Sequence, residues 1–266
     1  MSFWIKYESL SQQQVQIIND IINSRLAENV GFIKGFAGTG KTLVLLHVLE
    51  KISVLEPYAT ISFITFTNSL IDLISTSPVF NNSKRAKLKL STYDMFLKHN
   101  IPYDYVLIDE VQDIPFRTLQ KIKKLAKHII IAGDHDQQIY DTGATIDEIK
   151  YVFPNIIERN LIEVFRITKN ICKLAHCICP EINIVEGLLS ARKNSTINIA
   201  EADSIDDEFF FTIETAISRA LPGQPSIIIF WRHIDIENFG KILQNYVSEK
   251  YRINNPPTLK RIKEEK

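Results

Sequence analysis

A glycine-rich segment at residues 35–42 constrains this chain more than any other feature of its sequence. It reads Gly-Phe-Ala-Gly-Thr-Gly-Lys-Thr and fits the pattern GxxxxGK[ST]. An apolar run, Val30–Lys34, precedes it, and an amphipathic stretch, Lys41–Ile52, follows it. Glycines at a strand-to-helix turn let backbone N–H groups and the positive end of the helix face an anion. The context predicts a phosphate-binding loop formed by Gly35, Phe36, Ala37, Gly38, Thr39, Gly40, Lys41 and Thr42.

Two polar side chains of this loop carry chemistry. Lys41 is expected to reach the terminal phosphates of a nucleotide, and the Thr42 hydroxyl is expected to ligate Mg²⁺. A glycine-rich turn that merely caps a helix is the alternative, and the lysine–threonine pair after an apolar strand disfavours it. The predicted cofactors are therefore ATP and Mg²⁺.

A second acidic site is needed to hold the metal and orient a water molecule. Asp109 and Glu110 supply it, because they directly follow the apolar run Tyr105–Ile108. Asp109 is the candidate metal ligand, directly or through water, and Glu110 is the candidate general base. Two solvated carboxylates after a buried strand are the alternative, which is the weaker reading beside a phosphate-binding loop.

Short apolar runs alternate with amphipathic stretches, which is typical of an α/β protein with a parallel sheet. In the first half the predicted strands are Val30–Lys34, Ile61–Phe66, Tyr105–Ile108 and His128–Ala132, and the predicted helices are Gln12–Glu28, Lys41–Ile52, Ser69–Ser75, Pro115–Lys127 and Thr145–Val152. Further on, the predicted helices are Thr168–Cys179, Ile205–Ala220 and Asp235–Tyr251, and the predicted strands are Thr196–Ala200 and Ser226–Trp231.

Composition narrows the class of protein. The chain has 31 lysines and arginines and 31 aspartates and glutamates, so no bulk positive charge marks it as a nucleic-acid binder. A strand gripped inside a cleft needs local donors and stacking surfaces instead. No apolar run is long enough to span a bilayer, and the N-terminus lacks the features of a signal peptide. We expect a cytoplasmic protein without membrane association.

The three cysteines all lie between residues 172 and 179, and their odd number gives no disulfide framework. Cys172, His176, Cys177 and Cys179 invite a metal-site reading. Their spacing matches neither paired CxxC motifs nor a ferredoxin run, so buried thiols on a helix are the preferred interpretation.

Two later segments resemble a known family. Asp109–Asp113, DEVQD, and Gly133–Tyr140, GDHDQQIY, resemble motifs II and III of the UvrD/Rep-type superfamily 1 DNA helicases. Leu10–Gln14, LSQQQ, is similar to that family's Q motif, Thr65–Asn68, TFTN, to its motif Ia, and Phe165–Arg166 to the tyrosine–arginine pair of its motif IV. The joint match covers residues 10 to about 171.

The resemblance implies a RecA-like ATP-binding domain over residues 1–166, without the large 1B insertion, followed by a partial second RecA-like domain over residues 167–266. It implies that Gln14 reads the adenine, that Gln137 couples the γ-phosphate to the DNA-facing loop, and that Arg166 is an arginine finger. The implied catalytic set is Lys41, Asp109, Glu110, Gln137 and Arg166, and the implied contacts with single-stranded DNA are Phe66, Thr67, Asn68, Thr92, Tyr93 and Tyr140.

The implied activity is that of an ATP-dependent 3′–5′ translocase or helicase on single-stranded DNA, of the kind used in DNA repair. An ATP-gated binding or regulatory subunit, in repair or phage defence, is the alternative. A small-molecule P-loop kinase would have no reason to carry the segment Gly133–Tyr140.

The sequence also departs from the family pattern. Asp94 stands where the family usually has a histidine, and an acidic group there would repel a phosphate. His135 stands where an aspartate is common. Nothing after Tyr251 resembles motif V or motif VI. We therefore expect the chain alone to bind ATP, to hydrolyse it slowly and not to unwind duplex DNA, with a second polypeptide as a candidate source of the missing motifs.

Overall fold

The computed structural model of the protein describes residues 4–24, 30–82, 87–135, 138, 142–165, 168–178, 194, 197, 200–219, 228 and 233–251. Contacts between Cα atoms divide the chain into two compact units, the first built mainly from residues 1–197 and the second from residues 198–263. The boundary predicted after residue 166 rests on the order of motifs and stays a prediction. Within the described ranges, no helix is both long and apolar enough to cross a membrane.

A parallel sheet forms the centre of the first unit. Its strands are β1 Val30–Gly35, β2 Thr60–Thr65, β3 Lys87–Thr92, β4 Tyr103–Ile108, β5 Ala126–Gly133 and β6 Ile156–Leu161. Their order in the sheet is β3-β2-β4-β5-β1-β6. Ile33 of β1 lies beside Ala132 of β5, and Ile131 of β5 lies beside Ile108 of β4. The carboxyl ends of these three strands therefore share one edge of the sheet, where open α/β sheets bind their ligands.

Helices cover both faces of the sheet. They are α1 Gln12–Ser24, α2 Lys41–Leu55, α3 Asn68–Ser75, α4 Pro78–Asn82, α5 Tyr93–His99, α6 Phe116–Lys124 and α7 Ile146–Val152. Buried side chains of α1 to α4 share one apolar cluster with Phe63 of β2. Buried side chains of α5 to α7 share a second cluster with Ile131 of β5. The predicted α/β class with a parallel sheet and a phosphate loop is confirmed.

The four strands predicted in the first half are confirmed with shifts of one or two residues at their ends, whereas β3 and β6 were not predicted. The helix predicted over Pro115–Lys127 was too long, because α6 ends at Lys124. The carbonyl of Leu125 accepts from the N–H of Tyr103 at 2.8 Å, which already starts the pairing of β4 with β5. The predicted strands Thr196–Ala200 and Ser226–Trp231 fall, apart from isolated positions, outside the described residues.

Beyond the sheet, the described part of the chain forms the helices α8 Lys169–Ile178, α9 Ile205–Arg219 and α10 His233–Tyr251. In the second unit, Phe209 and Phe239 pack edge to face with ring centroids 5.3 Å apart, and Ile213 joins their small core. These helices match the predicted ones closely. The assignment of the second unit to a partial RecA-like domain stays a prediction.

Candidate nucleotide site and nucleic-acid edge

The phosphate loop lies between β1 and α2, as its sequence context predicts. Gly38 and Gly40 have φ angles of 81° and 89°, in the left-handed region that favours glycine. A Cβ atom at Gly40 would also lie 2.7 Å from Nε2 of Gln14. Gly40 is the N-cap of α2, so the N-terminus of that helix, with its unpaired N–H groups, opens onto the loop.

Lys41 lies over the loop. The residue is only 6% exposed, and Nζ donates to the carbonyl oxygen of Gly35 at 2.8 Å and to that of Phe36 at 3.4 Å. A phosphate entering the loop would offer the ammonium group charged oxygens in place of these neutral carbonyls, and such charge-assisted bonds are the stronger ones.

The acidic pair meets the phosphate loop directly. The Thr42 hydroxyl donates to Oδ2 of Asp109 at 2.7 Å, and Asp109 is fully buried at the end of β4. Burial first, and the neighbouring Glu110 charge second, raise the pKa of Asp109 from 3.8 to about 7, against the opposing effects of Thr42 and Lys41. The group that the sequence predicts as a metal ligand is thus a buried carboxyl group whose charge is incompletely compensated.

The donor set fits Mg²⁺. Thr42 and Asp109 present a hydroxyl and a carboxylate oxygen that already lie within hydrogen-bonding distance of each other. Mg²⁺ prefers oxygen ligands and is commonly held by one or two protein groups together with phosphates. A bound cation would also place a positive charge beside Asp109 and so compensate the negative charge of its carboxylate.

Gln14 joins α1 to the phosphate loop. Its Nε2 donates to the carbonyl oxygen of Thr39 at 3.0 Å, and its Oε1 accepts from the N–H of Ser11 at 3.1 Å. The Ser11 hydroxyl accepts in return from the N–H of Gln14, which completes a capping box at the start of α1. The structure thus places this amide beside the loop, with a protein partner at each of its ends, and its role at the adenine stays a prediction.

The segment after β6 also contacts the loop. The N–H of Phe165 donates to the carbonyl oxygen of Gly38 at 2.9 Å, and Oε1 of Gln13 accepts from the N–H of Ile162 at 3.0 Å. Arg166 follows Phe165 immediately in the chain but lies outside the described residues. Gln137 and Tyr140 are outside them as well. Their predicted roles stay predictions.

Two aromatic side chains lie at the same edge, at the ends of β2 and β3. The rings of Phe66 and Tyr93 have centroids 5.8 Å apart and are both partly exposed. The hydroxyl oxygens of Thr67 and Thr92 accept from the N–H groups of residues three positions on, and so cap α3 and α5. Asn68 begins α3 and is exposed. These predicted DNA contacts thus form one continuous surface, which we call the aromatic edge: Phe66, Thr67, Asn68, Thr92 and Tyr93.

The phosphate loop and the acidic pair belong to a segment that resembles a known family. Residues 18–143 match the family model described as an AAA domain. The match spans slightly less than half of the chain and also includes the aromatic edge. The AAA-like region therefore has both the sequence and the strand–loop–helix structure of a P-loop nucleotide-binding domain. No curated protein matches the chain.

Several solved structures share a distant likeness. The chain is 16% identical to the PRRSV helicase, with a TM-score of 0.40, over 70% of this chain and 38% of that one. It is 15% identical to domain III of the Thermotoga maritima replication initiation protein DnaA, with a TM-score of 0.38, over 90% and 94% of the two chains. For the DNA-bound DUF1998 helicase MrfA the identity is 12%, the TM-score 0.39 and the coverage 57% and 27%. These scores lie below 0.5, so none of the three bears on the function of this chain.

Gln112 is a site residue of the AAA-like region that the sequence analysis missed. Its side chain is 2% exposed, its Nε2 donates to Oε2 of Glu110 at 2.9 Å, and its Oε1 accepts from the N–H of Asp134 at 3.1 Å. Its place inside DEVQD was the available signal, but only Asp109 and Glu110 of that motif have a predicted chemical role.

The cysteine group lies on and just after α8. The interpretation as buried thiols on a helix holds for Cys172 of α8 and is wrong for Cys177, which is exposed, whereas Cys179 lies outside the described residues. Among the residues that the structure describes, no group of three or more histidines, cysteines and acidic residues could hold a metal ion.

Proposed function

We propose that the chain is an ATP-dependent motor of the UvrD/Rep type that binds and translocates on single-stranded DNA. The observation that carries the proposal is the contact between the phosphate loop and the acidic pair, in which the Thr42 hydroxyl donates to Oδ2 of Asp109 at 2.7 Å. A P-loop that only capped a helix would need no buried carboxyl group at this place. ATP is the proposed nucleotide, and bound Mg²⁺ would neutralise charge on its phosphates.

Each residue at the loop has a defined task in this proposal. Lys41 would exchange its carbonyl partners for phosphate oxygens, and Thr42 and Asp109 would hold the metal. Glu110 accepts a proton from the attacking water, and its Oε2 accepts a hydrogen bond from Nε2 of Gln112 at 2.9 Å. Gln14 reads the adenine after giving up one of its two present partners. Gln137 and Arg166 are proposed as the γ-phosphate contact and the arginine finger.

The aromatic edge supports a single strand as the second ligand. Phe66 and Tyr93 present ring surfaces on which bases can stack, a contact that tolerates any sequence. The capping threonines use their oxygens as acceptors, so their hydroxyl hydrogens can donate to phosphates. The proposal extends this contact to Tyr140. The 3′–5′ direction, a role in DNA repair, a cytoplasmic location and a second polypeptide that supplies motifs V and VI stay predictions.

The deciding experiment is ATP hydrolysis by the purified chain under single-turnover conditions, with and without single-stranded oligonucleotide. We expect a slow basal rate that requires Mg²⁺ and that rises on addition of the oligonucleotide, with Lys41→Ala as the inactive control. ATP binding without turnover, but with a change in affinity for the oligonucleotide, would favour the alternative of an ATP-gated binding subunit. Turnover that no nucleic acid alters would refute the proposed ligand and return the choice to other P-loop enzymes.

A further inference from the structure

The buried amide of Gln112 connects two parts of the nucleotide site that are distant in sequence. Its Nε2 donates to Oε2 of Glu110 at 2.9 Å, and its Oε1 accepts from the backbone N–H of Asp134 at 3.1 Å. Asp134 is the first residue after β5, the strand that lies between β1 and β4. The amide therefore links the carboxylate after β4 to the backbone after β5.

The orientation of this amide is fixed by its partners. A backbone N–H can only donate and a carboxylate can only accept, so the oxygen of Gln112 must face Asp134 and its nitrogen must face Glu110. Reversing the amide would set two donors against each other on one side and two oxygens on the other. The side chain thus has one favourable orientation, and a movement of either partner requires the other partner to move or a hydrogen bond to break.

Two glycines leave the space that this arrangement needs. A Cβ atom at Gly133 would lie 2.5 Å from Oε1 of Gln112, and a Cβ atom at Gly143 would collide with the carbonyl oxygen of Gln112. The N–H of Ala144 donates to the carbonyl oxygen of Ile114 at 3.0 Å, which holds the second glycine against this segment. Gln112 is therefore enclosed by both ends of the connection between β5 and α7.

We propose that Gln112 is a positioning residue, which holds the carboxylate of Glu110 at a fixed position relative to the segment that follows β5. The inference rests on the proposed function, because it assigns Glu110 the role of general base. Asp134 belongs to the segment after β5, so a shift of its backbone would move the base through the Gln112 amide. Misplacing a catalytic group by about 1 Å can cost on the order of 100-fold in rate.

A purely structural role is the competing explanation, since the Asp134 N–H is buried and needs an acceptor. Two variants separate the roles. Gln112→Glu retains an acceptor for Asp134 but replaces the donor to Glu110 with a repelling carboxylate. Gln112→Met removes both hydrogen bonds at similar volume. Gln120→Met is the matched control, because it makes the same glutamine-to-methionine substitution at a half-buried position of α6.

Amide hydrogen exchange at Asp134 and single-turnover hydrolysis of Mg·ATP are measured for all variants, with rates normalised to the fraction that binds nucleotide. We expect Asp134 exchange to accelerate by at least about tenfold in Gln112→Met and to stay near that of the wild type in Gln112→Glu. We expect the single-turnover rate constant at saturating Mg·ATP to fall roughly 10- to 100-fold in both, with the half-saturating concentration of Mg·ATP changed less than about threefold. Added to Glu110→Gln, the Gln112→Met change should cost less than about threefold more, because the base that it positions is already gone.

Rates of both Gln112 variants within about twofold of Gln120→Met would overturn the positioning role, as would a full additional loss in the double variant. Unchanged Asp134 exchange in Gln112→Met would overturn the link itself. If the wild type hydrolyses ATP no faster than Lys41→Ala, the proposed function fails and the positioning role falls with it. Normal wild-type turnover with unaffected Gln112 variants refutes this inference alone.

Discussion

Replacing Asp109 with asparagine tests the electrostatics of the acidic pair. The carboxyl group is fully buried beside Glu110, and the pKa of Asp109 rises to about 7 as a result. Asparagine keeps the size of the side chain and removes the charge. Its oxygen can accept from the N–H of Glu110 and its amide can donate to the Thr42 hydroxyl, so both present contacts have a replacement.

The size of the effect follows from the shift of the pKa. The folded protein holds the proton of Asp109 up to about pH 7, whereas the unfolded chain releases it near 3.8. Between these values the folded state binds more protons, so the free energy of unfolding falls as the pH rises. About three pKa units correspond to about 4 kcal/mol at most. An asparagine side chain does not titrate, so Asp109→Asn should gain this amount over the wild type above pH 7 and nothing below about pH 4.

The measurement is a denaturant titration of both proteins at pH 5 and pH 8 without divalent cations. The midpoint difference in favour of Asp109→Asn should be larger at pH 8, and Mg²⁺ should raise the midpoint of the wild type but not that of the variant. Nucleotide turnover should be lost, so the variant would be more stable and inactive. A midpoint difference that is the same at both pH values, or a variant less stable than the wild type at pH 8, would refute the reasoning.

Other substitutions probe the remaining parts of the site. Lys41→Ala should lower the affinity for Mg·ATP by at least about tenfold in a fluorescent-nucleotide titration; unchanged affinity would show that the loop does not hold phosphate. Glu110→Gln should bind nucleotide normally and lose roughly 10²- to 10⁴-fold in turnover, and an equal loss of binding would instead assign Glu110 a structural or metal-holding role. Phe66→Ala should weaken binding of a single-stranded oligonucleotide by roughly 1–3 kcal/mol in an anisotropy titration without changing basal ATP hydrolysis, and an equal loss of stability would make Phe66 a packing residue. Asp94→Asn should strengthen oligonucleotide binding, most at low salt, because an exposed negative charge at the start of α5 is removed; no change between salt concentrations would exclude a contact there.

The central strands were predictable because their side chains are apolar without interruption. Residues Val106–Ile108 of β4 are buried on both faces, and an unbroken apolar run is typical of such a strand. The edge strands were not predictable in the same way. In β3 the run Lys87–Ser91 alternates charged or polar with apolar residues, and in β6 polar residues interrupt the apolar ones, because each strand has a neighbour on one side only.

The residues of the candidate site also fall into some that the sequence could predict and some that it could not. Lys41, Thr42 and Asp109 were predictable because each chemical role demands a particular residue type at a fixed place after a strand. Gln112 was not, because its importance depends on Asp134, which is 22 residues away in sequence and adjacent only once β4 and β5 have paired. The contact of Phe165 with Gly38 was hidden for the same reason, since it joins backbone atoms and leaves no trace in residue type.

That backbone contact makes the shape of the phosphate loop and the course of the chain after β6 interdependent. Gly35 lacks a Cβ where one would lie 2.8 Å from the carbonyl oxygen of Leu161, and Gly38 accepts the N–H of Phe165, so the loop touches this segment at two points. A displacement of Gly38 must either move Phe165 or break their hydrogen bond. A nucleotide that changed the shape of the loop would therefore act on Phe165 through backbone atoms alone, whatever side chains the two residues carry.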